Sequence, residues 1–326
     1  MDVGVIINPV AGASRSHSVD KRKRLAHEVI DACHVDGDVR LTHGRGSATT
    51  IAGEMIGAGA ATVVAWGGDG TINEIAKAVA SAGGVLGVVP GGTGNGFARG
   101  LGIERRSRAA LRTALAGAER RIDTGEIDQR FFVNVAGVGF DAHLASVFNR
   151  LPSRSAAAYI RASLRELSSY RALSYTVRGE TQAFTTKALF VTVANGPEYG
   201  AGAVIAPMAC IDDGALDLIC VPPRNVASLY WQARHLFTGT IDQIPDVRFV
   251  TAPTMEIVAD RPLVFHVDGE VYEGSDRLQI KVKPSSLRVR VPPPGRIGTR
   301  RSRSRGPGFP GFPGFRRAPD LGVEAR

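Results

Sequence analysis

The chain has 326 residues, 44% of them apolar, enough to bury a large core in two domains of ordinary size. Its three cysteines, Cys33, Cys210 and Cys220, are odd in number and scattered, which excludes a disulfide framework or a four-cysteine zinc site and fits a reducing compartment. The net charge of +9 is concentrated at one end: from Arg296 onward eight arginines oppose only Asp320 and Glu324, a net of +6, which leaves +3 for residues 1–295.

The leading "MDVGVIINPVAG" is too short in its apolar run for a signal-peptide core, and no other stretch approaches the roughly 20 apolar residues that span a bilayer. The expectation is a cytoplasmic protein, at most peripheral on a membrane. In chain order, "VGVIIN" (3–8) predicts a strand, "SVDKRKRLAHEVIDA" a helix, "DVRLT" a strand, "SATTIAGEMIGAG" a helix, "ATVVAWG" a strand, "TINEIAKAVASAG" a helix and "GVLGVVPGG" a strand. Such alternation predicts an α/β domain, a parallel sheet covered by helices, with ligands at the carboxyl edge of the strands. The glycine-rich turns in this half follow strands and therefore share that edge.

Beyond "ERRIDTGEIDQRFFVNVAGVGFDA" the texture changes to short strands: "YTVRG", "KALFVTVAN", "ALDLICV", "TMEIVAD", "PLVFHVDGE" and "LQIKVKP", with helical stretches over 152–170 and 226–238. This predicts a β-sandwich domain. The expected division is 1–124, 125–295 and a low-complexity Arg/Gly/Pro tail over 296–326, with the domain boundary near Arg121 to Gly125. The tail lacks the apolar residues to offset its ordering entropy and is expected to be disordered. Its Gly306, Gly308 and Gly311 match a G-x-G-x-x-G spacing with no strand before and no helix after, an accident of composition.

The chemistry concentrates in "AWGGDGTINEIAKA". Gly67, Gly68 and Gly70 allow close backbone approach, and the free N–H groups at the following helix start favour an anion. Asp69 would repel a phosphate seated there unless a cation lies between, so the loop implies Mg²⁺ shared by the acid and a polyphosphate. The competing reading is a tight strand-to-helix turn with Asp69 as N-cap. A second glycine turn, "VVPGGTGNGFAR", on the same edge favours the ligand, with Thr71 and Thr93 as hydroxyl donors. No G-x-x-x-x-G-K-[ST] occurs, which argues against a P-loop.

In order, "NPVAG" (8–12), "GGDGTINE" (67–74), "PGGTGNGFAR" (90–99), "NVAGVGFDA" (134–142), "ANGPEYGAG" (194–202), "DDGALDL" (212–218) and "VDGE" (267–270) give the chain, from Asn8 to about Val291, a close resemblance to bacterial diacylglycerol kinase-like lipid kinases. These are relatives of sphingosine kinases and, more distantly, of NAD kinases. The resemblance implies an α/β nucleotide domain followed by a β-sandwich, with ATP and Mg²⁺ in the cleft between them. Carried over by motif, Asn8, Pro9, Val10, Ala11, Gly12 and Thr42 would line the ATP site. Gly67, Gly68, Asp69, Gly70, Thr71, Ile72 and Asn73 would hold the phosphates, and Thr93 would contact the nucleotide.

A phosphoryl transfer to a hydroxyl needs a base in line with the γ-phosphate. By resemblance Asp268 is that base and Glu270 belongs to the metal and water network, although some members have the base at this glutamate; a β-turn with solvated acids is the bland alternative. Two carboxylates so close should have divergent pKa values. Asp213 with the carbonyls of Cys210 and Ala215 would hold a structural Mg²⁺; an ordinary Asp-Gly turn is the alternative. One departure from the family pattern is Gly96, where many members have an acid, which bears on substrate class.

His266 reads as a strand residue facing core or solvent, Trp66 and Trp231 as core or cleft packing. Arg154, Arg161 and Arg165 with Tyr159, Ile160, Leu164 and Leu167 could form a basic amphipathic helix against anionic headgroups, or pack over the sandwich. The tail, with Phe309, Phe312 and Phe315, could add membrane contact. The expected partner is a lipid at a membrane surface, with no specific nucleic acid; a homodimer stays open. Two rival functions remain, an NAD kinase and a nucleic-acid-binding protein acting through the tail.

Overall fold

The computed structural model describes residues 1–12, 16–149, 165–167, 169–180 and 182–293. The chain begins as β1 (Val3–Ile7), α1 (Ser16–Ala32), β2 (Gly37–Leu41), α2 (Ser47–Gly57), β3 (Thr62–Gly67), α3 (Asp69–Ala82) and β4 (Val85–Pro90). All residues of β1, β3 and β4 are buried, as strands covered on both faces must be. They pair in parallel in the order β2-β1-β3-β4, so the turns after β1, β3 and β4 share one edge, as the alternation predicts. Two helices follow, α4 (Gly96–Gly100) inside the second glycine turn and α5 (Ser107–Ala116), which packs Leu111 and Ala114 under the sheet.

The second half comprises β5 (Ala118–Ile127), β6 (Arg130–Phe132), β7 (Val135–Gly139), α6 (Phe140–Asn149), β8 (Leu173–Gly179), β9 (Ala183–Ala188), β10 (Phe190–Ala194), β11 (Glu198–Gly200), β12 (Ala203–Val204) and β13 (Leu216–Val221). Then come α7 (Val226–Gln232), α8 (Arg234–Thr238), a 3₁₀ turn at Ile241–Gln243, β14 (Arg248–Ala252), β15 (Thr254–Val258), β16 (Val264–Val267), β17 (Glu270–Glu273) and β18 (Arg277–Val291). A six-stranded sheet, β14-β13-β10-β7-β16-β17, faces β8, β15 and the first half of β18 across a core that includes Val138, Val193, Leu218, Ile257 and Phe265. This is the expected β-sandwich beside the α/β domain. The helix expected over 152–170 lies largely outside the described residues, as does the whole tail after Pro293; the stretch 226–238 forms two short helices instead of one.

The strand expected to end at Pro284 continues for seven more residues, to Val291. Leu278, Ile280 and Val282 lie in the sandwich core, whereas Leu287 and Val289 lie in the α/β core. The register along β5 shifts between Lys283 and Leu287, where Ser285 takes φ 50°. The Asp123 carboxylate on β5 clamps this irregularity, accepting the Ser285 N–H at 2.7 Å and the Gly214 N–H at 2.7 Å. Beyond the shift β18 pairs in parallel with β4, so one ten-stranded sheet runs through both halves.

Candidate active site

The first two glycine turns lie in direct contact. Gly91 N–H donates to Gly67 O at 2.7 Å, and a Cβ on Gly92 would stand 2.7 Å from Gly68 Cα, so only bare backbone fits both sides. The turn of Asn8 to Gly12 lies alongside: Gly12, at φ +73°, faces the Gly91 carbonyl. Asn8 Nδ2 donates to Thr71 Oγ1 at 2.8 Å while its Oδ1 accepts the Val10 N–H at 3.1 Å. Arg22 on α1 donates to the carbonyls of Asn8 (3.2 Å) and Ala11 (2.9 Å), and burial lowers its guanidinium pKa. The charged run "KRKR" hid this role, because nothing local separates Arg22 from its solvated neighbours. A fourth turn closes the set: Ala201 N–H donates to Gly94 O at 2.8 Å, and Gly200, at φ +136°, packs on Gly94.

Asp69 opens α3 and projects among these turns. Its Oδ1 accepts the Phe97 N–H at 3.4 Å, and a Cβ on Gly94 would lie 3.2 Å from Oδ2. Burial, reinforced by the charge of Asp268, pushes its carboxyl up to about 6. The competing reading of Asp69 as N-cap is not seen: Gly68 occupies the cap position and no side chain caps the helix. Thr71 is buried with its hydroxyl engaged by Asn8. Ile72 lies wholly in the core and its N–H bonds Gly68 O at 3.0 Å, so neither its side chain nor its amide faces the cleft. Thr42 is buried at the end of β2, whereas Val10 and Thr93 are exposed. Thr93 lines a hollow of about 160 Å³ with Pro90, Ala98 and Arg99; a groove of about 580 Å³ flanks Thr42 between Lys23, His43, Ser47 and Glu54. None of the glycine-turn residues lines the larger groove.

Asp268 and Gly269 form the two-residue turn of the β16–β17 hairpin, at φ 46° and 90°, the left-handed values that the Asp-Gly pair tolerates best. The Asp268 carboxylate is buried and fully committed. Oδ2 accepts Asn73 Nδ2 (2.7 Å) and Val133 N–H (2.8 Å), while Oδ1 accepts the N–H groups of Asn134 (3.1 Å) and Val135 (2.9 Å). Burial raises its pKa against the pull of these donors. Asn73 thereby ties α3 to the sandwich. Glu270, one residue beyond the turn, is more open: Oε2 accepts the Tyr272 hydroxyl at 2.8 Å and Oε1 lies 3.3 Å from Arg45 Nε. Arg45, in the loop after β2, went unread in the sequence, though a cation between glycines on the ligand edge was the available signal. The carboxylate that the charge of Asp268 raises is Asp69, from the other half of the molecule, whereas the sequence points to Glu270 as its partner.

Behind the hairpin, His266 does face the core. Its Nε2 stands 2.9 Å from Asp141 Oδ2, which also accepts the hydroxyls of Tyr199 (2.5 Å) and Thr192 (3.2 Å). Against the burial that penalises its charge, Asp141 is held below the ordinary carboxylate range by His266 and these hydroxyls. Against the same penalty, the Asp141 charge raises the His266 pKa. Gly96 is buried where a Cβ would collide with the Tyr199 carbonyl and stand 2.7 Å from Asn134 Nδ2, so this packing has no room for the acid many relatives of the resembled family carry.

Asp213, Cys210 and Ala215 share the turn before β13, which lies two strands from β7 in the six-stranded sheet. Asp213 is exposed and accepts the Ala215 N–H at 3.1 Å; Cys210 donates its thiol to Asp212 at 3.3 Å. Among the described residues no three His, Cys, Asp or Glu side chains gather as a metal cluster, and no helix is long and apolar enough to cross a membrane.

Residues 2–127 match the diacylglycerol kinase catalytic domain, and residues 134–291 match the YegS C-terminal NAD kinase beta sandwich-like domain. The chain is 33% identical over 270 residues to a probable lipid kinase YegS-like of Serratia proteamaculans, covering 78% of this chain and 84% of that one. It is 34% identical over 261 residues to the protein of the same name in Pseudomonas aeruginosa, covering 78% and 84%. Its fold superposes on the crystal structure of a Bacillus anthracis diacylglycerol kinase with a TM-score of 0.68 at 20% identity, covering 90% of this chain and 97% of that one. With both domains matched in order around one cleft, the chain belongs to the YegS-like family of lipid kinases.

Proposed function

We infer that the protein is an ATP- and Mg²⁺-dependent kinase that phosphorylates a hydroxyl of a lipid such as diacylglycerol or a sphingoid base. The observation that carries this reading is Asp69, an acid set between two glycine turns that touch through bare backbone, with its pKa raised by burial and by Asp268. Its donor set is oxygen, which suits a hard cation, and the glycine surfaces leave no side chain between backbone and a polyphosphate. The residues thus fit both groups. When bound, ATP supplies the phosphoryl group and Mg²⁺ offsets its charge.

The chain's own residues divide the remaining work. Gly67 to Gly70 present backbone to the phosphates at the start of α3, and Asp69 would hold the cation. Asp268 has no acceptor position left after its four donors, so it acts as a positioning residue that fixes Asn73 and the hairpin. Glu270, with an open carboxylate, receives the hydroxyl proton of the lipid. The turn of Asp213 with the Cys210 and Ala215 carbonyls remains a candidate second Mg²⁺ site of oxygen donors.

Glu270→Gln is expected to lower kcat for diacylglycerol by about 100-fold or more with thermal stability unchanged. Asp268→Asn is expected to lower stability by about 2–4 kcal/mol, because an amide nitrogen would face backbone N–H donors. The readouts are labelled-ATP turnover and thermal unfolding. Unchanged turnover in Glu270→Gln would refute the base assignment. Phosphorylation of NAD in place of every lipid offered would refute the substrate class.

A further inference from the structure

The helices α7 and α8 each turn one side inward. Leu229 packs on the cluster of Phe140, Leu144 and Leu189, and Leu236 packs on the one containing Ile205, Ile241 and Ile244. No residue of either helix is fully buried, and the outer side is unusually apolar: Tyr230 is 70% exposed, Trp231 63% and Phe237 63%, with Val226 beside them at 40%. Trp231 was expected in the core or cleft. It stands in solvent instead, with the Arg234 guanidinium 3.9 Å over its ring.

Charge distinguishes this face from an ordinary apolar patch. From Leu218 to Ile241 the sequence contains no Asp or Glu, but has Arg224, Arg234 and His235. Arg224 is engaged by Asp246 at 3.1 Å, which leaves Arg234, over the Trp231 ring, as the outward cation of this stretch. Tyr and Trp combine an apolar body with a polar tip and settle at the headgroup level of a bilayer, while a neighbouring cation without carboxylates favours anionic lipid. The inward side of α7 is linked through the core to the hairpin of the cleft: Leu229 packs on the cluster of Phe140 on α6, and the next α6 residue, Asp141, meets His266, two residues before Asp268.

We propose that the outer face of α7 and α8, through Tyr230, Trp231, Phe237 and Arg234, seats the protein on an anionic phospholipid bilayer. The proposal rests on the lipid-kinase reading for its purpose, delivery of a membrane-resident acceptor to the cleft. Shallow insertion of three rings and one cation is a reversible, peripheral contact.

The test uses the full chain with vesicles of phosphatidylcholine alone or mixed with phosphatidylglycerol. Of the two tryptophans Trp66 is already buried, so a blue shift and quenching by brominated lipid report Trp231. Both are expected with the anionic vesicles only. In co-sedimentation, Tyr230→Ser/Trp231→Ser/Phe237→Ser is expected to weaken anionic-vesicle binding about tenfold or more, and Arg234→Glu to weaken it in a salt-dependent way. Turnover of a short-chain, water-soluble diacylglycerol should stay unchanged in both variants while turnover of vesicle-borne diacylglycerol falls. Vesicle binding by the triple variant equal to the parent's would overturn the proposal, as would a solution dimer that the triple variant dissolves without change in vesicle binding. Ring-dependent vesicle binding with no turnover of any lipid would sustain the surface and refute the kinase reading, so the two fail separately.

Discussion

At the scale of single residues, Asp69 sets the electrostatics of the cleft. Its carboxyl, pushed up to about 6 by burial and by Asp268, titrates above the ordinary value of 3.8. A raised acid binds protons more tightly folded than unfolded, so its ionisation opposes folding: the cost is absent below the unfolded pKa, grows as pH rises, and is complete above about 6. In the presence of a chelator, Asp69→Asn is therefore expected to stabilise the protein above that pH by on the order of 2 kcal/mol, and to change nothing in strong acid. Thermal unfolding across pH checks this; a gain that is independent of pH would show that Asp69 is not the titrating group. The glycine bed around Asp69 was legible in the sequence, because glycine, acid and helix start are adjacent there. The saturation of Asp268 was not, because three of its four donors are backbone groups at 133–135, supplied by a strand start far away in sequence. The pairing of His266 with Asp141 was hidden for the same reason.

At the scale of elements, periodicity located β1 to β4 and the sandwich strands, and it missed the course of β18. A proline and two serines in "KVKPSSLRVRV" read as a stop, since Pro cannot donate to a ladder. The strand tolerates them because they occupy the register shift, where the Ser285 N–H finds the Asp123 carboxylate in place of a neighbouring strand. Asp123→Ala would leave the N–H groups of Ser285 and Gly214 without their acceptor. The expected loss is about 2–4 kcal/mol of stability, measured by denaturant unfolding. The division of 226–238 into α7 and α8, and the outward Trp231, were equally illegible, because aromatic residues at helical spacing look the same whether they face a core or a bilayer.

At the scale of the whole molecule, the α/β core is completed by Leu287 and Val289 from the far end of the chain. A fragment of residues 1–127 would expose the β4 edge that β18 covers and lose these two side chains. It is expected to aggregate or to unfold without cooperativity, whereas residues 1–293 should show one cooperative transition; calorimetry of the two distinguishes them. Linear division into domains, natural from composition, cannot express a strand that serves two cores.

That shared strand also governs how the molecule can move. Two bodies joined by loops would swing on a free hinge, but here the halves are welded by a continuous hydrogen-bonded ladder from β2 to β9. Widening the cleft must then twist the sheet elastically, near the register shift at Ser285, while the turn carrying Asp268, which belongs to the six-stranded sheet, is held to the helix carrying Asp69 by the Asn73 hydrogen bond. Adjustment to acceptors of different size is left to the parts outside the ladder.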